Sequence, residues 1–329
     1  VGATRTRGNR WRKPRESDGP DGGEARTLIY DSRFGVLFVF FQRAAVYSLG
    51  LAALSAYVKA AIPDVRTHLL PIFPHDEPEA TTRLAAELRP SLIAVSAMCP
   101  TWLPLVPHLR ALAAALPEVP IVVGGYQGIV EPERTIAEPA VDFVCVGDGE
   151  QPLVDLIRRV RTRGATATIA GLWERRGEEI VRTAAVLVQS LADLPFPDYT
   201  IFERDGQIGY LKPNAVEAAR LISVPVLSGR GCPYRCAYCS NTTLLDLHGG
   251  KDGLLRKHRP EALVAELARL RDRYGVGFFQ FWDEEFLYDA RYARELLTCY
   301  RHGVDLPFSM FARPETMTDE LCAHAAAMG

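Results

Sequence analysis

"GCPYRCAYCSN", residues 231–241, places Cys232, Cys236 and Cys239 within eight positions of a chain that has seven cysteines in all. Spacings of four and three also put the trio at i, i+4 and i+7, one face of a helix. Three small buried residues on such a face are therefore one reading. Gly231 and Pro233 bracket the first cysteine and favour a loop. Tyr234, Arg235 and Tyr238 are also odd neighbours on a helix turned towards a core. A disulfide leaves one thiol over and needs an oxidising compartment. Structural zinc needs a fourth ligand; His248, nine residues beyond Cys239, is the nearest candidate, but zinc ligands usually come as two short pairs. An iron–sulfur cube makes sense of the number three. Three thiolates on four irons leave one iron open to bind something else.

The segments after the loop give its setting. "SVPVLSGR" reads as a strand that ends at the loop, and "PEALVAELARLRDRYG" as a helix. "GFFQFWDEEF" is a strand with acids at its C-terminal end, followed by the helix "ARYARELLTCYRHG". "PFSMFARPE" is a third strand, and "TDELCAHAAAMG" begins the next helix. Parallel α/β barrels carry their sites at the C-terminal ends of strands, which is where the cysteines fall. Three βα units cannot close a barrel, so this domain, 222–329, is expected to be cut short.

Upstream, short apolar runs alternate with helical periodicity. The strands are "TLIYDS", "VRTHLLPIF", "SLIAVSAM", "PIVVGG" and "DFVCVGDGE". Between them lie the helices "AVYSLGLAALSAYVKAA", "EATTRLAAELR" and "WLPLVPHLRALAAAL", and "QPLVDLIRRVRTR" follows the last strand. Strands that are apolar throughout predict a parallel sheet covered on both faces. A doubly wound domain is expected over 26–164. The apolar stretch 36–58 is interrupted by Gln42 and Arg43, and neither remaining run reaches the ~20 residues that span a bilayer. It reads as a buried strand running into an amphipathic helix. Residues 165–221 read as a connector: a hairpin in "IAGLWERRGEEIVRT" with Gly177 near its turn, then the proline-rich "LADLPFPDYTIF".

A length of 329 residues suits two domains, and 48% apolar with 24% charged residues is a globular composition. A net charge of −2 supplies no basic field for nucleic acid or an anionic membrane. Residues 1–25, with six Arg or Lys before residue 16, read as a disordered tail. The odd cysteine count fits a reducing cytoplasm. The first residue is Val, in keeping with a fragment.

The C-x₃-C-x₂-C loop after a first barrel strand, with Tyr238 just before the last cysteine, resembles the radical S-adenosylmethionine (SAM) enzymes. The resemblance implies that Cys232, Cys236 and Cys239 hold a [4Fe–4S] cluster whose open iron chelates SAM. It implies that reduction of SAM releases a 5′-deoxyadenosyl radical, and that Tyr238 lies against the adenine. Asp283, Glu284 and Glu285 in "FWDEEF" would meet the SAM ammonium, and Arg313 in "FARPE" a SAM or substrate carboxylate. Read alone, any of these is equally a solvated turn or a surface arginine.

A doubly wound domain ahead of this one resembles the cobalamin-binding subgroup. Ser96 at the end of the third strand, Gly124 and Gly125 after the fourth, and Gly147 in "VDFVCVGDGE" stand where cobalamin would bind. The "GLW…DLPFPDY" connector is similar as well. Glycines at strand ends let backbone approach a flat macrocycle, although a tight turn explains them equally. Many cobalamin domains carry D-x-H-x-x-G after the first strand; here that place reads "DSRFG", with Arg33 and no histidine. Cys99 and Cys145 read as small buried residues and do not resemble the extra cluster of the methylthiotransferases.

The fold class expected is α/β: an N-terminal doubly wound, Rossmann-like, cobalamin-binding type of domain, then a partial radical SAM (β/α) barrel. The resemblance covers about residues 26–329. It implies methyl transfer to an unactivated carbon or phosphorus centre, with radical cyclisation or rearrangement, or a non-catalytic cobalamin or metal module, as alternatives. The implied partners are a small-molecule or natural-product-like substrate and a one-electron reductant such as flavodoxin or ferredoxin. The chain as it stands is expected to bind a cluster but to turn over poorly or not at all.

Overall fold

A computed structural model describes residues 34–42, 47–162, 167–204, 207–208 and 222–329. The strand expected at 27–32 and the tail at 1–25 lie outside the described residues. The sheet begins with β1 (Gly35–Phe41), in which all seven residues are buried. It continues with β2 (Arg66–Ile72), β3 (Leu92–Ser96), β4 (Ile121–Gly124) and β5 (Phe143–Cys145), all parallel. β6 (Leu172–Arg176) and β7 (Glu179–Val181) then add antiparallel, giving the order β2-β1-β3-β4-β5-β6-β7. The hairpin read as part of a connector thus extends this sheet through β6.

The apolar strands behave as their period of two requires. Leu37 and Val39 face one core with Trp102, Leu105 and Leu109 of α3 (Cys99–Ala115), which also packs on α2 (Pro78–Leu88). Val36, Phe38 and Phe40 face the other core with α1 (Leu49–Ala61) and α6 (Glu150–Thr162). The short helices α4 (Tyr126–Val130) and α5 (Pro132–Ala137) fill the β4–β5 crossover. The strand at 27–32 on which the reading of "DSRFG" rests lies outside the described residues, and the first described strand, β1, is Gly35–Phe41. "QRAAVYS" at 42–48 again offers no histidine.

A two-residue ladder, β8 (Glu203–Arg204) with β9 (Gln207–Ile208), follows the connector. The second sheet is parallel, in the order β10 (Ile222–Val226), β13 (Val276–Phe281), β14 (Phe308–Met310). Between its first two strands a ribbon pairs β11 (Gly229–Arg230) with β12 (Arg256–Lys257). That ribbon encloses the cysteine loop, α7 (Asn241–Leu247) and α8 (Lys251–Leu254). α9 (Pro260–Tyr274), α10 (Ala290–Gly303) and α11 (Asp319–Met328) complete the layer over this sheet. Its core runs on into Tyr47, Leu49, Tyr199 and Phe202, so the two sheets share apolar packing. Tyr199 Oη seals the junction by donating to the Pro225 carbonyl at 2.7 Å. No helix among the described residues is long and apolar enough to cross a membrane.

Candidate functional site

The cysteine loop leaves β11 at Gly231, whose φ of +94° suits glycine. A Cβ there would stand 2.7 Å from the Leu254 carbonyl oxygen, so the loop's two ends are pressed together. Asn241, the first residue of α7, holds the loop's interior: its Nδ2 donates to the Cys232 carbonyl at 2.8 Å and the Tyr234 carbonyl at 2.6 Å. Within the loop the Cys239 N–H donates to the Cys236 carbonyl at 3.0 Å, and the Asn241 N–H reaches the Cys239 sulfur at 3.5 Å. The three thiols are graded in exposure, Cys232 buried, Cys236 half-buried and Cys239 exposed. Burial pushes the Cys232 thiol up from its ordinary range. Tyr238 stands out at 92% exposure. Among the described residues no three His, Cys, Asp or Glu side chains converge on one metal position. Thiolates of a cube have no need to converge, because each binds a different iron.

The three consecutive acids after β13 are not equivalent. Asp283, 3% exposed, accepts from the Ser228 N–H at 2.9 Å and the Ser228 hydroxyl at 2.5 Å, with Lys257 Nζ at 3.5 Å. Glu285, 1% exposed, accepts from the Leu287 N–H, the Thr316 hydroxyl and the Arg313 N–H at 3.1, 2.9 and 2.6 Å. Both carboxylates are committed to the frame, Asp283 tying β13 to the loop after β10, and Glu285 tying it to the turn after β14. Glu284 alone turns into an interdomain cavity. Desolvation by the surrounding walls raises its carboxyl pKa, and the Asp283 charge adds to the rise.

That cavity, about 370 Å³, lies at the C-terminal ends of β3, β4 and β5. In open parallel sheets this edge, beside the point where strand order reverses, is where ligands bind. Ser96, Gly124, Gly125 and Gly147 all line it, together with Leu49 and Leu54 of α1. Gly125 has φ +78°, and a Cβ there would meet the Ala97 carbonyl oxygen at 2.8 Å. Cys145 also faces the cavity, its thiol pushed up to about 12 by burial. The proline-rich connector supplies Leu194, Pro195 and Pro197 to the wall. The second sheet's side contributes Arg230, Gly231, His248, Arg256, His258 and Glu284 to the lining.

Sequence reasoning named His248 only as a spare zinc ligand and missed His258 and the arginines of this wall, since nothing in their local spacing marks them. His258 tilts on Phe196 with ring centroids 4.8 Å apart, and burial first, then the Arg230 charge, hold its pKa at about 4. A folded-state value below the ordinary 6.5 means that the unfolded chain binds a proton that the folded one refuses. Stability from this group is therefore complete above about pH 6.5 and is lost as pH falls to about 4. Urea unfolding at steps through that interval is expected to show a shallower pH slope for His258→Gln than for the wild type. Equal slopes would remove His258 from the account.

Arg313 lies against the cysteine loop. Its Nη1 donates to the Cys236 sulfur at 3.2 Å, Nη2 to Glu315 at 2.9 Å, and the guanidinium sits 4.2 Å over the Tyr234 ring. The structure therefore joins the three cysteines, Arg313 and Glu284 at one end of the second sheet, and lines one cavity with Glu284 and the four residues at 96, 124, 125 and 147.

Comparison with known proteins divides the chain in the same two parts. The family described as B12 binding domain matches residues 43–157, and the Radical SAM superfamily matches residues 226–329. The chain is 29% identical over 203 residues to an anaerobic magnesium-protoporphyrin IX monomethyl ester cyclase of Cereibacter sphaeroides, covering 60% of this chain and 31% of that protein. It is 24% identical over 253 residues to the cytidylyl-2-hydroxyethylphosphonate methyltransferase of Streptomyces wedmorensis, covering 69% and 46%. It thus spans less than half the length of these relatives. The radical SAM methyltransferase TsrM from Kitasatospora setae, solved with cobalamin and a [4Fe–4S] cluster, superposes with a TM-score of 0.63 at 20% identity, over 90% of this chain and 59% of that one. With a B12 binding domain ahead of a radical SAM domain, and the cavity between them, the chain belongs to the cobalamin-binding group of radical SAM enzymes.

Proposed function

We propose that this chain is the cofactor-binding part of a cobalamin-dependent radical SAM methyltransferase acting on an unactivated carbon or phosphorus centre of a small molecule. The observation that carries the reading is one cavity to whose lining both halves contribute: strand-end glycines from the first sheet and the cysteine-loop base and Glu284 from the second. The likeness to a methyltransferase of Streptomyces wedmorensis supports methyl transfer. The likeness to the Cereibacter sphaeroides cyclase favours a second reading, radical cyclisation on the same scaffold.

The donor set suits the groups assigned to it. Cys232, Cys236 and Cys239 would hold the cluster on a loop whose carbonyls Asn241 fixes. Glu284 would meet the SAM ammonium, because it is the acid of its trio whose oxygens other residues leave free to face the cavity. Tyr238, exposed beside the last cysteine, would lie along the adenine. Ser96, Gly124, Gly125 and Gly147 would face cobalamin in a cavity with leucine and proline walls that exclude water. When bound, these cofactors supply a 5′-deoxyadenosyl radical and a transferable methyl group, chemistry that side chains lack. The protein's part is to hold the two cofactors on facing walls. The reductant is proposed to be a flavodoxin or ferredoxin.

The test is anaerobic reconstitution with iron and sulfide, followed by EPR with and without SAM and by cobalamin titration. About four irons per chain, a reduced signal that moves on adding SAM, and bound cobalamin are expected. Cys236→Ala should lose the SAM-sensitive signal. One zinc and no cluster would leave a metal-binding module instead. Cleaved SAM with no methylated product in the full-length protein would favour cyclisation.

A further inference from the structure

We infer that Arg313 sets the reduction potential of the cluster through Cys236 and is a positioning residue, not a ligand for a SAM or substrate carboxylate. The inference rests on the proposed cluster at Cys232, Cys236 and Cys239. A carboxylate ligand needs a guanidinium fork free to point at it. Here both terminal nitrogens are already engaged: Nη1 donates to the Cys236 sulfur at 3.2 Å and Nη2 to Glu315 Oε1 at 2.9 Å. Of its three remaining N–H groups, the one on Nε is buried without a partner, so it faces protein and not the open cavity. The plane rests 4.2 Å from the Tyr234 ring centroid, a stacking that Lys cannot reproduce with a planar group.

The backbone fixes this pose from the other side. The Arg313 N–H donates to buried Glu285 at 2.6 Å, and the Arg313 carbonyl accepts from the Thr316 hydroxyl at 2.8 Å. The same Thr316 hydroxyl also lies 2.9 Å from Glu285, its one hydrogen shared between the two acceptors. Two residues of the cysteine loop and one buried acid thus hold one arginine.

The consequence is electrostatic. One-electron reduction adds negative charge to the cluster and its thiolates. An N–H donor and a positive charge at one thiolate favour the reduced state, and such outer contacts tune iron–sulfur potentials. Glu315 lies on the far side of the guanidinium and offsets part of that charge. Arg313 and Glu315 together therefore act as a graded setting, with removal of either partner moving the potential in opposite directions.

The experiment is a potentiometric EPR titration of the reconstituted protein, with dithionite as the one-electron donor, alongside SAM binding by equilibrium dialysis. Arg313→Gln is expected to disfavour reduction about tenfold, a downward shift of about 59 mV for a one-electron couple. SAM affinity should stay within about twofold. Arg313→Lys should recover part of the shift, since charge returns without the planar fork. Glu315→Gln should shift the potential upward, and it tests the inference even where Arg313→Gln fails to fold. An unmoved midpoint in Glu315→Gln and Arg313→Gln, or a collapse of SAM affinity at a wild-type midpoint, would overturn it. A wild type that holds about four irons keeps the cluster reading intact in either case; a wild type without iron takes both down.

Discussion

Asp148→Ala is expected to cost the folded protein about 3–5 kcal/mol, the range seen when one partner of a buried ion pair is removed. Asp148 accepts from Arg256 Nη1 at 2.6 Å, from the Val188 N–H at 2.8 Å and from Arg230 Nη1 at 3.4 Å. Its side chain is 15% exposed and that of Arg256 only 6%, so water cannot replace the lost charge. Arg256 keeps the Val188 carbonyl at 2.7 Å but has no other carboxylate among the described residues. Against a typical total of 5–15 kcal/mol, the loss is large. Glu150, 2.6 Å from Arg230, carries the second half of the clamp.

The clamp bears on function because of where its arginines stand. Arg230 and Arg256 are the strand residues that lead into and out of the cysteine segment, and they pair with each other in the β11–β12 ribbon. Asp148 sits between Gly147 and Gly149, both cavity residues. One carboxylate of the first sheet therefore holds both ends of the loop expected to bear the cluster. Urea unfolding measures the cost directly. Asp148→Ala with Arg256→Met should recover part of it, since replacing a buried pair by apolar groups is often near neutral. A single variant within about 1 kcal/mol of wild type would show that the clamp carries no strain.

Glu284→Gln is expected to weaken SAM binding about 30-fold, or about 2 kcal/mol, at the low end for truncating one side of a desolvated charge pair. The amide keeps the shape while losing the charge proposed to meet the ammonium. Its folding stability should remain within about 0.5 kcal/mol, because no other residue's donor depends on it. Asp283→Asn should behave in the opposite way. It leaves Lys257 without its anion and weakens the two Ser228 bonds, costing about 1–3 kcal/mol of stability. Equilibrium dialysis with SAM and urea unfolding on both variants separate the roles. Glu284→Gln that binds SAM as the wild type does would move the ammonium site elsewhere.

These three adjacent acids show how far the sequence reaches. The run "FWDEEF" at the end of an apolar strand marks the place, and chain order alone puts Asp283, Glu284 and Glu285 there. Which of them is free depends on donors 55 residues away at Ser228 and 28 residues away at Arg313. No local pattern contains that information. Arg313 is the same case: its place after the third strand of the second sheet was legible, but the direction of its guanidinium was set by a cysteine 77 residues earlier.

The sequence by itself determined the parallel sheet, through strands apolar on both faces, and the cysteine loop, through Gly231, Pro233 and the spacing of three thiols. It also located the strand-end residues at 96, 124, 125 and 147, which the cavity gathers. Such features are local: a period of two, a turn residue and a spacing each act over a few neighbours. Only the tertiary structure decided that the 172–181 hairpin joins the first sheet, that His258 and Arg256 face the strand-end glycines, and that Asp148 grips residues 82 and 108 positions away. Those outcomes follow from which surfaces two packed sheets bring together, and a buried charge takes its partner from that packing, not from its neighbours in the chain.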